Sequence, residues 1–110
     1  MRIIAGKHRG RAIQVPKAEA LRPTSDRLRQ AVFNILDHGS SGVPYLGEPV
    51  VDLFAGTGAY GLEALSRGAA FATFADLDGA ALLGIRRNAA SMGEAGNIAV
   101  LRIDATRLVS

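Results

Sequence analysis

The apolar positions of this 110-residue chain change period near residue 49, and the change separates two kinds of structure. Upstream, Ile3-Ile4 and Ile13-x-Val15 read as the arms of a short hairpin. Gly6 and Gly10 bracket the turn-prone Lys7-His8-Arg9, and Pro16, which cannot donate to a ladder, closes the second arm. Residues 17–23 are irregular. A helix is predicted from Thr24 or Ser25, either of which caps free N–H groups, with Asp26 in the first turn, where the helix dipole favours an anion. Leu28, Ala31, Val32, Ile35 and Leu36 recur at helical spacing as its inward stripe, and Gly39 supplies a stop. Arg22, Arg27 and Arg29 lie off that stripe and are expected to face solvent or a ligand. Residues 39–49 read as a loop and as the best boundary in the chain, dividing residues 1–45 from 46–110.

Downstream, Val50 to Phe54 is a short apolar run, read as a strand. Ala59 to Arg67 is a helix with Leu62 and Leu65 inward and Gly68 past its end; Phe71 to Ala75 is a second strand. Gly79 to Met92 is a further helix, with Leu82, Ile85, Ala89 and Met92 on one stripe interrupted by Gly84, and Ile98 to Ile103 is a third strand. Strand–helix–strand–helix–strand implies right-handed crossovers and a parallel sheet, a Rossmann-like α/β fold.

Charge sharpens the division. Residues 1–30 hold eight bases against two acids, a net +6, whereas the other 80 residues carry five bases and eight acids, a net −3. A basic arm beside an acidic body suits contact with a polyanion such as nucleic acid, although a solvated face has the same composition. There is no cysteine, which excludes disulfides and thiolate metal sites and fits a reducing cytoplasm. No apolar run approaches the ~20 residues needed to span a bilayer, and no secretory leader is read at the N-terminus. His8 and His38 have no companion ligands and read as surface residues rather than metal ligands. Arg86-Arg87-Asn88 reads as a solvated helix face.

The candidate chemistry lies in Gly56-Thr57-Gly58-Ala59-Tyr60-Gly61, between the first strand and its helix. Glycines there let the backbone turn sharply, admit a ligand to close contact, and let helix and strand pack tightly. G-x-G-x-x-G alone is weak, but Asp76 ends the second strand 20 residues beyond Gly56, where a carboxylate can accept from both hydroxyls of a ribose. An adenosine-containing ligand follows; the alternative is a structural turn with a surface Asp. A dinucleotide fold shares these residues. Against it, Asp52 lies four residues before Gly56, where it would repel a pyrophosphate but could pair with the ammonium of S-adenosylmethionine (SAM). Asp104 closes the third strand and could accept from an adenine amine, with the Ala105 N–H as a ring-nitrogen donor, or could cap a following helix. Three acids at successive strand ends favour SAM. Tyr60 could border that cofactor or pack on the first helix.

Asp52-Leu53-Phe54-Ala55-Gly56-Thr57-Gly58-Ala59-x-Gly61-Leu62-Glu63-Ala64-Leu65-Ser66-Arg67-Gly68-Ala69 resembles the first motif of class I methyltransferases, and more narrowly the bacterial 16S rRNA guanine-N2 methyltransferases of the RsmD type. Met1-Arg2-Ile3-Ile4-Ala5-Gly6-Lys7-x-Arg9-Gly10-Arg11 and Leu21-Arg22-Pro23-Thr24-x-Asp26-Arg27-Leu28-Arg29 are similar to that family's opening hairpin and helix. The resemblance implies a cytoplasmic enzyme that methylates 16S rRNA, as naked RNA or in a small-subunit assembly particle, with SAM as cofactor and no resident metal. It implies SAM held by Asp52, Phe54, Ala55, Gly56, Thr57, Gly58, Gly61, Asp76, Leu77, Asp104 and Ala105, and RNA contacted by Lys7, Arg9, Arg11, Arg22, Arg27 and Arg29.

Family members continue to a fourth strand, where an Asp- or Asn-Pro-Pro-aromatic motif holds the target guanine. A guanine amine is a poor nucleophile, so orientation and stacking by that motif matter. Here Pro16, Pro23, Pro44 and Pro49 include no adjacent pair, and no catalytic residue is assigned. The expectation is a fragment, a truncated protein without turnover, or a chain that completes its exposed sheet edge through self-association or a partner.

Overall fold

The downstream apolar runs become three parallel strands in the order β1-β2-β3, with β1 Pro49–Leu53, β2 Phe71–Asp76 and β3 Ile98–Arg102. The computed structural model describes residues 1–15, 25–38, 43–53 and 55–104, with backbone alone for Ser25 and Asp26. Helix α1 spans Ser25–Asp37, α2 Ala59–Ser66 and α3 Gly79–Ser91, and a single 3-10 turn, Ala95–Asn97, leads into β3. From residue 25 onward the helices and strands agree in type and order with the sequence reading, with bounds that differ by one or two residues, and the 3-10 turn is an addition. Gly39 and Thr24, expected to stop and to cap α1, lie outside the described residues.

With the parallel strands in sequential order, crossovers of the usual right hand put α2 and α3 on one face of the sheet. On that face Phe74 is fully buried against Gly61 of α2, where an added Cβ would lie 2.3 Å from the Phe74 ring. Leu62, Leu65 and Ile85 are buried beside it, each contributing roughly 1.5–3 kcal/mol by leaving water. The opposite face is open: Val51 is 66% exposed, Leu53 40% and Leu101 46%.

The N-terminal segment closes with one antiparallel bridge, Arg2 to Ala12, and three flanking backbone hydrogen bonds, rather than with regular strands. Gly6 and Gly10 take positive φ at its turn, and Ile3 and Ile13 enter the same hydrophobic cluster as Leu62 and Phe74.

Helix α1 corrects the predicted stripe. Leu28 and Ile35 are 59% and 74% exposed and Ala31 is exposed, while Arg29 and Phe33 are buried and Val32 and Leu36 half-buried. The helix turns this face inward because Arg29 has an acid to meet and Phe33 has aromatic partners: Tyr45 edge-on at 5.4 Å and Tyr60 stacked at 6.4 Å. Tyr60 therefore packs on the first helix. On α3 the expected stripe of Leu82, Ile85, Ala89 and Met92 is buried, but so is Asn88, which does not belong to the solvated face of Arg86 and Arg87.

Candidate functional site

Between β1 and α2 the chain reverses through two glycines in the left-handed region, Gly56 at φ 53° and Gly58 at φ 80°. Gly58 precedes the first residue of α2, and a Cβ there would press Ile85 at 2.7 Å. Around Gly56 a Cβ would meet nothing within 4 Å, so that stretch of main chain faces open space. Ala55 is buried beneath the turn and donates its N–H to Ala75, tying the loop to the end of β2.

Asp76 sits across this turn. Its carboxylate accepts from the Asp78 N–H at 2.9 Å through one oxygen and from the Gly56 N–H at 2.9 Å through the other. The Asp78 bond first, then the Gly56 bond, hold its carboxyl below the usual carboxylate range against partial burial, so it is an anion at neutral pH. Gly56, Thr57 and Asp76 line a cavity of about 220 Å³, with Asp78, Ala80, Ala81 and Gly84 from the start of α3 and Gln14 from the N-terminal segment. That is short of the ~300–1,000 Å³ usual for small-molecule sites, enough for part of a ligand. Leu77, next to Asp76, is 61% exposed.

The three acids do not converge on this cavity. Asp52 lies on the α2 side of β1, accepts from the Gly61 N–H at 3.2 Å, and borders a second cavity of about 200 Å³ beside Phe33, Tyr45 and Tyr60. Burial pushes its carboxyl up to about 6; the Gly61 bond opposes this and the charge of Asp76 adds to it. Asp104, half-buried just past β3, lines neither cavity. Phe54 and Ala105 lie outside the described residues. No group of three His, Asp or Glu placed to hold a metal occurs among the described residues, and no helix there is long and apolar enough to cross a membrane.

The basic segment divides. Arg9 and Arg27 are exposed. Exposed Arg11 donates to the Ser91 carbonyl at 2.6 Å, at the end of α3. Lys7, 58% exposed, reaches Glu94 at 3.2 Å, and the same carboxylate meets His8 at 2.6 Å and Asn97 at 2.8 Å. Burial pushes Glu94 up, but hydrogen bonds from Asn97, His8 and Lys7 outweigh it and hold its carboxyl low. Arg22 lies outside the described residues.

Arg29 is a correction: it is fully buried and is not a surface contact for RNA. Its Nε donates to Glu63 at 3.1 Å, and another guanidinium N–H donates to the Arg2 carbonyl. Glu63, also fully buried, accepts in addition from the Ile4 and Ala5 N–H groups at 2.9 and 3.0 Å and from Arg67 at 2.8 Å. Arg67 continues to Asp37 at 2.8 Å and lies 4.6 Å over the Phe33 ring. Asp37 also accepts from the Tyr45 hydroxyl, whose pKa burial first, and then that carboxylate, push up to about 12. A buried charge is tolerable only when paired and hydrogen-bonded, and here every acceptor direction of Glu63 is used. The cluster fastens the N-terminal segment and α1 to the back of α2. Sequence reasoning missed Glu63, Asn88 and Gln14. An acid and an amide interrupting apolar stripes were the available signals.

The model of the family described as conserved hypothetical protein 95 matches residues 1–110. Ribosomal RNA small subunit methyltransferase D of Escherichia coli K12 is 43% identical over 106 residues, covering 96% of this chain and 50% of that protein. The solved Escherichia coli protein yhhF superposes with a TM-score of 0.81 at 39% identity, over 100% of this chain and 56% of that one. The C-terminal domain of precorrin-6Y C5,15-methyltransferase from Rhodobacter capsulatus shares the fold, with a TM-score of 0.62 at 18% identity over 76% of this chain and 41% of that one. The chain thus spans about half the length of the curated relative it matches. A Rossmann-like sheet of class I methyltransferase type, carrying the glycine turn and Asp76 behind a basic N-terminal segment, belongs to the family of conserved hypothetical protein 95, and the expected likeness to the small-subunit rRNA methyltransferases is found.

Proposed function

We propose that this chain is the cofactor-binding portion of a SAM-dependent methyltransferase acting in the cytoplasm on a guanine N2 of 16S rRNA. The observation that carries the reading is the Asp76 carboxylate, held as an anion at the open turn of Gly56 on the wall of one cavity. SAM brings an activated sulfonium methyl; the residues here bind and orient. Asp76 suits the ribose hydroxyls, because the backbone N–H groups that fix its carboxylate leave acceptor capacity for a ligand. The open main chain at Gly56 suits close approach of a ligand. Asp52, half-buried and with a raised pKa, would gain from a cation such as the methionine ammonium. Phe54, Ala55, Thr57, Gly58, Gly61, Leu77, Asp104 and Ala105 complete the proposed cofactor set. Lys7, Arg9, Arg11, Arg22 and Arg27 remain the proposed RNA contacts.

Isothermal titration of the protein with SAM and with its demethylated product tests the reading. Micromolar-range binding that Asp76→Ala weakens about tenfold is expected, in line with a lost charge-assisted hydrogen bond pair. Binding of NADH without SAM overturns it. Methyl transfer from labelled SAM to under-methylated small-subunit RNA or particles separates an enzyme from a binding module.

A further inference from the structure

The cavity beside Asp76 has one wall that the methyltransferase reading does not use. Gln14 belongs to the basic N-terminal segment, far in sequence from the glycine turn, yet it lines this cavity together with Gly56, Asp76 and Gly84. Its position is fixed by more than proximity. The Gln14 N–H donates to Asn88 Oδ1 at 2.9 Å, and Asn88 Nδ2 donates back to the Gln14 carbonyl at 2.9 Å. Such a reciprocal pair satisfies one backbone donor and one acceptor with a single side-chain amide and leaves the Gln14 side chain uncommitted. Asn88 is itself 2% exposed, on the inward face of α3 between Ile85 and Ala89, so the anchor is rigid. The neighbouring wall is small: Ala80, Ala81 and Gly84 leave space, and a Cβ on Gly84 would meet nothing within 4 Å. Glycine inside a helix costs roughly 1 kcal/mol relative to alanine. Gly84 lines the cavity without adding a side chain to it.

We infer that Gln14 is a cofactor-contacting residue, presented to the cavity by Asn88, so that the RNA-facing segment also forms a wall of the SAM site. This rests on the methyltransferase reading and extends it. The primary amide donates and accepts without charge, which suits a cavity that already holds Asp76 and Asp78: a further anion would be repelled and a cation would pair with them. Asn88 is the positioning residue.

The test uses the protein expressed from its own gene, with SAM affinity read by calorimetry and folding by urea titration. Gln14→Leu keeps the bulk and removes the polar group; Gln14→Ala removes both. Each is expected to weaken SAM binding roughly 3- to 10-fold, the weight of one hydrogen bond, with an unchanged urea midpoint, because the pairing with Asn88 is made by the Gln14 backbone. Asn88→Ala should weaken SAM binding by a similar factor, and adding Gln14→Ala to it should weaken binding no further, a coupling that mere loss of stability does not produce. If Asp76→Ala weakens binding while Gln14→Leu binds like wild type, this inference is overturned and the methyltransferase reading stands. Fully additive losses in the double variant overturn the positioning role of Asn88. If wild type does not bind SAM at all, both readings fall. Should Asn88→Ala not fold, Gln14→Leu decides alone.

Discussion

Two carboxylates near helix α2, one across the turn that precedes it and one within it, show opposite uses of the same chemistry. Across the turn, Asp76 accepts two backbone N–H bonds, lies at the surface of a cavity and keeps lone pairs toward open space. Within the helix, Glu63 is fully buried, and two guanidinium groups and two backbone N–H groups take up its oxygens. The first is arranged to receive something; the second is already satisfied. A saturated buried acid holds elements together, whereas a half-satisfied acid beside open main chain is a place for a ligand.

The comparison breaks most sharply on Glu63→Ala. Removing this carboxylate leaves Arg29 and Arg67 buried without it, and a loss of about 3–5 kcal/mol in urea denaturation is expected. A loss below 1 kcal/mol would mean the cluster does not anchor the N-terminal segment. Next comes Gly61→Ala, which drives a Cβ into the Phe74 ring and should cost about 1–3 kcal/mol in the same measurement. Asp76→Ala is the mirror case: cofactor affinity should fall about tenfold, while stability shifts by under about 1 kcal/mol. If Asp76→Ala instead destabilises as much as Glu63→Ala, the two carboxylates are alike and the contrast fails.

Smaller effects sharpen it. Asp52 titrates at about 6 in the folded protein, above its ordinary value of 3.8. The folded state therefore binds more protons than the unfolded chain between about pH 4 and 6, so stability falls as pH rises through that window and is level above it. Asp52→Asn should flatten that slope in pH-dependent urea midpoints. If the ammonium of SAM pairs with Asp52, SAM affinity should weaken as pH drops below about 6, and Asp52→Asn should remove that dependence. Smallest is Arg9→Ala, at an exposed position, which should lower the salt slope of RNA binding by about 1 without altering the urea midpoint.

How much of this was readable from residue order differs by element. The glycine turn and Asp76 were legible because they are local: a strand, a turn that needs positive φ at Gly56 and Gly58, and an acid one crossover later. The facing of α1 was not. Its most regular apolar stripe, Leu28, Ala31 and Ile35, points outward, and Arg29 goes inward because Glu63, 34 residues away, supplies the opposite charge. Gln14 was invisible for the same reason, since its place is set by Asn88, 74 residues on.

The sequence by itself determined the periods, and so the strand and helix order, the parallel sheet and the turn at which a nucleoside could be met. Those follow from backbone sterics and hydrophobic spacing acting over a few residues. Only the tertiary structure decided which polar groups are buried and which are offered. Burying a charge or an amide is favourable only where distant partners arrive at hydrogen-bond distance, and no local pattern records that arrival.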